Sequence, residues 1–274
     1  TYPAGNTIGN TLGEPVASGA TGITWNIPSA TTITSTAKIK VEDAGNANVF
    51  GETPNFKLKG GLTLTAPTGS GTSWTASSTT NNVTWTYLSA FPVEIRYDPN
   101  SGLGADGLSG TPLTDADNYP TLIGTAAAPV PTSGANSFTW NMSALGTNTT
   151  TVTNKGRVKI FNPADAAGVV SEGTDFKIGA QFNVSSPENG APVNAEDTAT
   201  NVTWTIDKGT AIGKIKVYYS NNASAGSPVW TEITPAGGIN SATTFNWNPI
   251  PRDYASIAST DHKIKVTQFD PLKE

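Results

Sequence analysis

The sequence repeats itself, and this constrains its fold more than any other feature. The run Asn-Val-Thr-Trp-Thr at residues 82–86 returns 119 positions later at residues 201–205. The run Phe-Lys-Leu at residues 56–58 returns 120 positions later as Phe-Lys-Ile at residues 176–178. Self-similarity at a fixed period indicates an array of similar structural units. We therefore expect a protein built for length and surface area rather than around one catalytic cleft.

Composition sets broad limits on the function of these 274 residues. Only 14% of the residues are charged, and seven Trp, seven Tyr and nine Phe are enough to fill two or three cores. The net charge of −5 argues against nucleic-acid binding, which needs a basic surface. No apolar run is long enough to predict a membrane span. Cysteine is absent, so disulfides and thiolate metal sites are excluded. Small secreted proteins usually carry disulfides, but absent cysteine together with abundant Thr, Ser, Asn and Gly fits a bacterial or archaeal exterior protein better than an animal one.

Short alternating segments separated by Gly, Pro, Asn and Thr predict about seven strands between residues 57 and 178. No segment shows the helical period. This pattern is typical of an immunoglobulin-like β-sandwich, so the predicted fold class is all-β. The predicted inward-facing side chains are those of Leu62, Leu64, Val83, Trp85, Val93, Ile95, Val158 and Ile160. The predicted outward-facing side chains are those of Thr84, Thr86, Glu94, Arg96, Arg157 and Lys159.

The repeats divide the chain into three parts. Residues 57–178 form a complete predicted domain, and residues 179–274 form a second one that lacks its last strand. Residues 1–56 correspond to the C-terminal half of such a domain, so we expect the sequence to be a stretch of a longer protein. Without their partner strands, Ile23, Trp25, Ile39 and Val41 should be exposed unless they pack on a neighbouring copy. The short joints between units predict an extended rod.

The sequence motifs also carry a resemblance. Residues 64–74, 82–86 and 93–95 resemble the tandem Ig-like repeats of very large bacterial cell-surface and secreted proteins, which carry a turn ending in Trp and an N-I-T-W strand. A yeast cell-wall Ig-like domain of the Kre9/Knh1 type shares the I-T-W-T core. The resemblance implies stalks, adhesive modules or fibre bodies. Val193 stands near the position of the turn residue Trp74, so a role of Trp74 would not be general to the repeats.

Aromatic residues are the first group of candidate functional residues. Trp85 and Trp204 lie at apolar positions of alternating strands, so we expect them in the cores. Trp25, Trp140 and Trp247 are predicted to be core or half-buried residues. Exposed aromatic rings can stack on sugars, and the candidates for a glycan-binding surface are Trp74, Tyr97, Tyr219 and Trp230.

Polar residues give weaker candidates. His262 is the single histidine and is predicted to be a solvated surface residue, not a metal ligand. No nucleophile motif is present, so no residue is predicted to be catalytic and no enzyme activity is expected. Carboxylates in loops are ordinary turn and solubility residues. They could also hold calcium, which prefers several loop oxygens. The calcium candidates are Asp98, Asn100, Asp106, Asp115 and Asp117.

The sequence therefore predicts a structural repeat segment of a prokaryotic extracellular or cell-surface protein, acting as a stalk, adhesin or fibre body without a cofactor. Its expected partners are neighbouring repeats or other copies. One alternative is a module that binds glycans or a receptor. Another is a self-assembling filament subunit that uses strand complementation. Against the filament, the N-terminal part carries several late strands and not a single free donor strand.

Overall fold

The computed structural model describes residues 17, 19–28, 31–99, 119, 121–128, 133–142, 152–188, 193, 200–209, 212–240, 243–250 and 261–269. The regular structure in these ranges consists of 20 β-strands, and no α-helix occurs among them. Accordingly, this part of the chain contains no helix that is long and apolar enough to cross a membrane. The predicted all-β fold is confirmed.

Residues 61–179, here called the central module, form two facing sheets. One sheet has the strand order β10-β7-β5, and the other has the order β6-β13-β11-β8-β9, with β12 also paired to β11. The strands are β5 (Gly61–Ala66), β6 (Ser73–Thr75), β7 (Asn81–Leu88), β8 (Val93–Asp98), β9 (Thr121–Ala126), β10 (Ser133–Trp140), β11 (Thr153–Phe161), β12 (Val170–Glu172) and β13 (Phe176–Gly179). The seven predicted strands are all present, and β6 and β12 are additional short strands that periodicity did not predict.

The core of the central module lies between its two sheets. Seven of the eight predicted inward-facing residues are buried, and Leu62, on the edge strand β5, is half-buried and packs against them. The predicted outward-facing residues are half-buried or exposed. Burial of each large apolar side chain contributes about 1.5–3 kcal/mol to stability. The alternation of apolar and polar residues along the strands therefore determines which face of each sheet is buried in the core.

Residues 181–269, the C-terminal module, repeat this arrangement. One sheet has the order β14-β15-β19; in the other, β16 pairs with β17 and β18 on one side and with β20 on the other. The strands are β14 (Gln181–Ser186), β15 (Thr200–Lys208), β16 (Lys214–Ser220), β17 (Thr231–Glu232), β18 (Ile239–Asn240), β19 (Thr244–Trp247) and β20 (Lys263–Phe269). The continuous strand β9 thus corresponds to two short strands, β17 and β18. Trp204 and Trp247 are buried in this second core.

Four strands precede the central module: β1 (Thr34–Ala37), β2 (Lys40–Asp43), β3 (Asn46–Glu52) and β4 (Phe56–Leu58). Their pairing repeats that of the late strands of the central module. Strand β1 pairs with β4 as β11 pairs with β13, including a register shift at the same place. Strand β2 pairs with β3 as β11 pairs with β12, with Lys40 opposite Glu52 and Lys159 opposite Glu172. The repeat therefore extends to strand register.

These N-terminal strands expose apolar side chains whose counterparts in the central module are buried. Val41 is 70% exposed, whereas Ile160, its counterpart, is fully buried. Ile23 is also exposed, and Trp25 and Ile39 are half-buried. The prediction of a strand around Ile23 and Trp25 is wrong, because residues 19–28 contain no strand. The equivalent residues 138–140 lie in a strand that pairs with β7, whereas no strand of the described part of the chain lies beside residues 23–25.

Candidate binding surfaces and the joints between modules

The four predicted glycan-stacking residues lie in different environments. Tyr97 and Tyr219 are buried, at 4% and 7% exposure, because they continue the inward-facing alternation of β8 and β16. Neither ring offers a face to a sugar in this structure, so both predictions are corrected. Trp74 is half-buried and packs edge-to-face on Trp140 and Phe176, with ring centroids 5.8 and 5.1 Å away. Its main contacts are therefore with the core of the central module.

Trp230 lies on the outer side of the C-terminal module, beside residues that the sequence did not suggest. The Nζ atom of Lys265 lies 4.3 Å from the ring centroid of Trp230 and 4.9 Å from that of Tyr218. Two residues before Tyr218 on the same strand, Nζ of Lys216 lies 4.4 Å from the ring centroid of Phe269. We call Lys216, Tyr218, Trp230, Lys265 and Phe269 the basic aromatic face. Cation–π contacts of this kind hold lysine side chains in place above the rings.

His262 is exposed, as predicted, but it is not isolated. Its Nδ1 atom is hydrogen bonded to the hydroxyl of Tyr219 at 2.6 Å, and the two rings are nearly parallel. Strand pairing makes Gly156 the counterpart of His262 in the central module, where the space beside Tyr97 is filled by Phe176. His262 thus covers the outer end of the C-terminal core.

Two tyrosines of the central module have strongly perturbed acidity. Burial raises the pKa of Tyr97, and the nearby Asp98 adds to this effect. Burial also raises the pKa of Tyr119, and the negative charge of nearby Glu172 contributes in the same direction. The hydroxyl of Tyr97 is buried without a hydrogen-bond partner among the described residues. Both rings are therefore neutral structural groups at ordinary pH.

Five charged side chains on the outer side of the central module form ion pairs. Nε of Arg96 lies 2.6 Å from Glu94, and Asp175 accepts from both Arg157 (2.5 Å) and Lys155 (3.1 Å). Burial lowers the pKa of Arg157, but hydrogen bonding and attraction to Asp175 outweigh this and raise it overall. Each of these three basic side chains therefore has a carboxylate partner.

The calcium prediction is only partly covered by the structure. Asp98 lies at the end of β8 and is 5% exposed, and Tyr97 and Arg157 are among its neighbours. The other candidates, Asn100, Asp106, Asp115 and Asp117, lie outside the described residues. Among the residues that the structure describes, no group of three His, Cys, Asp or Glu side chains could hold a metal ion. Calcium binding stays a prediction.

The joint between the central and C-terminal modules is a packed contact. Val152 precedes β11 of the central module, but it is buried in the core cluster of the C-terminal module. The backbone N–H of Ala180 donates to Oε1 of Gln268 on β20, at 3.3 Å. A cavity of about 170 Å³ at this joint is smaller than the roughly 300–1,000 Å³ of a typical small-molecule site.

The same contact recurs at the preceding joint. Ile33, which stands 119 positions before Val152, packs against the core of the central module. Ser89 and Gly209 are 120 positions apart, and both have positive φ, at 68° and 106°. The Oγ atom of Ser89 donates to the carbonyl of Thr31 at 3.0 Å. Both joints therefore pack an aliphatic side chain of one unit against the core of the next, and both have a residue with positive φ at the equivalent position.

This fold defines a β-sandwich repeat protein. A search of solved structures finds the fibronectin(III)-like modules of CbhA from Clostridium thermocellum, at 11% sequence identity and a TM-score of 0.19, over 68% of this chain and 78% of that chain. A scan against protein-family models gives no match, and neither does a search of curated proteins. The β-sandwich assignment accordingly depends on the strand pairing described above, and function must be inferred from the surfaces and joints.

Proposed function

We propose that this chain is a non-catalytic structural repeat segment of a large prokaryotic extracellular or cell-surface protein, where it forms part of a stalk, adhesin or fibre body. The observation that carries the proposal is the repeated joint, in which Ile33 packs against the core of the central module and Val152, at the equivalent position, is buried in the core of the C-terminal module. An aliphatic side chain shared between neighbours couples each module to the next. Arrays of this kind gain length from nearest-neighbour contacts alone.

The absence of cysteine and the resemblance to tandem Ig-like repeats of bacterial surface proteins support the location. An antibody against the C-terminal module, applied to intact cells of the source organism, tests it. Labelling of unpermeabilised cells is the expected result. Labelling that requires permeabilisation would overturn the extracellular assignment.

Solution scattering on the whole chain tests the structural role. A rod with packed joints gives an asymmetric pair-distance distribution with one long dimension, and the profile should be unchanged across moderate salt concentrations because the joints are mostly apolar. A compact distribution would contradict the rod.

Glycan binding is a second candidate function, and the basic aromatic face is the observation that favours it. Trp230 and Tyr218 are half-buried rings on an outer sheet surface, and Val229 next to them is 64% exposed. Sugar rings stack on aromatic side chains presented in this way. A glycan array probed with the purified chain tests this function. Absence of binding to every glycan would overturn glycan binding and would not affect the structural proposal.

A further inference from the structure

The basic aromatic face lies on the outward side of β16 and β20. Along β16 the buried residues Ile215 and Val217 alternate with Lys216 and Tyr218, so the latter two point away from the core. Lys265 lies directly opposite Tyr218 across the strand pair. Register therefore places an aromatic ring and an ammonium group side by side on an outer sheet surface.

Positive charge is in excess on this surface. Lys214, Lys216, Lys263 and Lys265 lie on β16 and β20, and Glu232 on β17 is the carboxylate on these three strands. Glu232 lies 2.9 Å from Lys216. Next to β20, Asp261 accepts two hydrogen bonds from Ser224. The result is a cationic surface on a chain whose net charge is −5.

The equivalent surface of the central module differs from the basic aromatic face in the exposure of its aromatic ring and in its charge. There Lys159, the counterpart of Lys265, also lies over an aromatic ring, with Nζ 4.4 Å from the centroid of Tyr119. That ring is only 2% exposed, however, and Glu172 is paired across from Lys159 in the sheet. In the central module the lysine thus lies over a buried ring, whereas in the C-terminal module Lys265 lies over the half-buried rings of Trp230 and Tyr218.

We propose that the basic aromatic face binds an acidic polysaccharide, of the uronic acid class. The parts of the Trp230 and Tyr218 rings that Lys265 does not cover accept the apolar faces of sugar rings, and the ammonium groups of Lys265 and Lys263 pair with the carboxylates. The outer face of a sheet fits a polysaccharide better than an acidic peptide, because peptides are held at strand edges or in grooves. This inference rests on the second proposed function and is independent of the structural one.

Binding of the whole chain to polygalacturonate, measured by calorimetry at low salt, tests the proposal. Trp230→Ala and Lys265→Gln should each weaken binding by about tenfold, because each removes one stacking or charge contact. Lys265→Arg keeps the charge and the ring contact and should retain binding. Lys57→Gln, which removes an exposed lysine on β4, is the matched control and should have no effect. Circular dichroism and thermal melting of each variant check that the module stays folded.

The outcomes separate the proposal from its alternatives. Polygalacturonate binding that falls with salt and with both variants supports it. Equal binding to dextran, with a loss in Trp230→Ala but not in Lys265→Gln, overturns the acidic class while glycan binding itself stands. Equally tight binding of poly-glutamate overturns the polysaccharide assignment in favour of an acidic peptide. No binding to any of the three overturns both the acidic class and the second function, and leaves the repeated joints untouched.

Discussion

The Cγ2 methyl group of Val152 lies 2.6 Å from the position that a Cβ atom would take on Gly209. Gly209 adopts a φ of +106°, which glycine reaches without the steric cost that other residues would have. Val152 belongs to the central module in sequence, but it is buried in the apolar cluster of the C-terminal module, beside Gly209. The core of the C-terminal module is therefore completed by a side chain of the central module.

Val152 belongs to the central module in sequence, but its replacement should destabilise the C-terminal module. Val152→Ala removes a side chain that is 4% exposed, so we expect the C-terminal module to lose about 1–3 kcal/mol in its free energy of unfolding. Hydrogen exchange should show faster exchange for the amides of β15 and β16, with little change in β7 and β8. Val170→Ala makes the same chemical change at a side chain that is 40% exposed and should change stability by less than about 0.5 kcal/mol. Faster exchange confined to β7 and β8 would contradict the shared core.

Loss of one core tryptophan should unfold one module. Trp85 is 1% exposed, and Trp85→Ala should cost the central module about 3–5 kcal/mol. The C-terminal module should remain folded, weakened only by the loss of its contact with Val152. Trp85→Phe should be milder, because it keeps most of the apolar volume and removes an indole N–H that has no partner among the described residues. A two-step thermal melt of Trp85→Ala is expected, and a single cooperative transition of the whole chain would contradict the modular interpretation.

Alternation along the strands was enough to predict the sandwich and most of its core. It assigned Val83, Ile95 and Val158 to the core, and all three are fully buried. The same alternation also predicts that Tyr97 is a core residue. Tyr97 follows Val93 and Ile95 at every second position, and this places its ring in the core rather than at a glycan site.

The candidate binding surface is harder to predict from the sequence than the sandwich core. Trp230 was among the candidates, but its neighbours Lys265 and Tyr218 come from β20 and β16, and strand register alone brings them together. The joint could not be predicted from the sequence either, because no local sequence feature distinguishes Val152 from a valine in an ordinary loop. Strand β12 has three residues, which is too short for periodicity to detect.

The loop contact between Ser224 and Asp261 should be measurable as a lowered pKa of Asp261. The side-chain and backbone hydrogen bonds from Ser224 lower the pKa of Asp261. Because the folded pKa is below the ordinary value of about 4, the associated stability is present above that pH and is lost as the pH falls through the folded pKa. Ser224→Ala should raise the pKa of Asp261 toward its ordinary value in an NMR titration, and Ser224→Thr should leave it low. An unchanged pKa in Ser224→Ala would show that the hydroxyl does not contribute.

Two buried tyrosines should respond differently to removal of their hydroxyl groups. Tyr97→Phe removes a hydroxyl that has no hydrogen-bond partner in the described part of the chain, so we expect it to raise the free energy of unfolding by about 1 kcal/mol. Tyr119→Phe is the matched control; its hydroxyl lies near the carboxylate of Glu172, and its removal should not raise that free energy. Denaturant unfolding at neutral pH measures both effects.

The same pair of variants should alter alkaline stability. Because burial raises the pKa of Tyr97 and of Tyr119 in the folded state, the unfolded chain loses these protons first, near pH 10, and stability falls as the pH rises further. Each phenylalanine variant removes one ionising group from the unfolded chain and should flatten this decline, which unfolding at pH 10.5 measures. Ultraviolet absorbance should show that neither tyrosine ionises in the folded protein at that pH. Equal destabilisation by Tyr97→Phe and Tyr119→Phe at neutral pH would mean that the Tyr97 hydroxyl is hydrogen bonded after all.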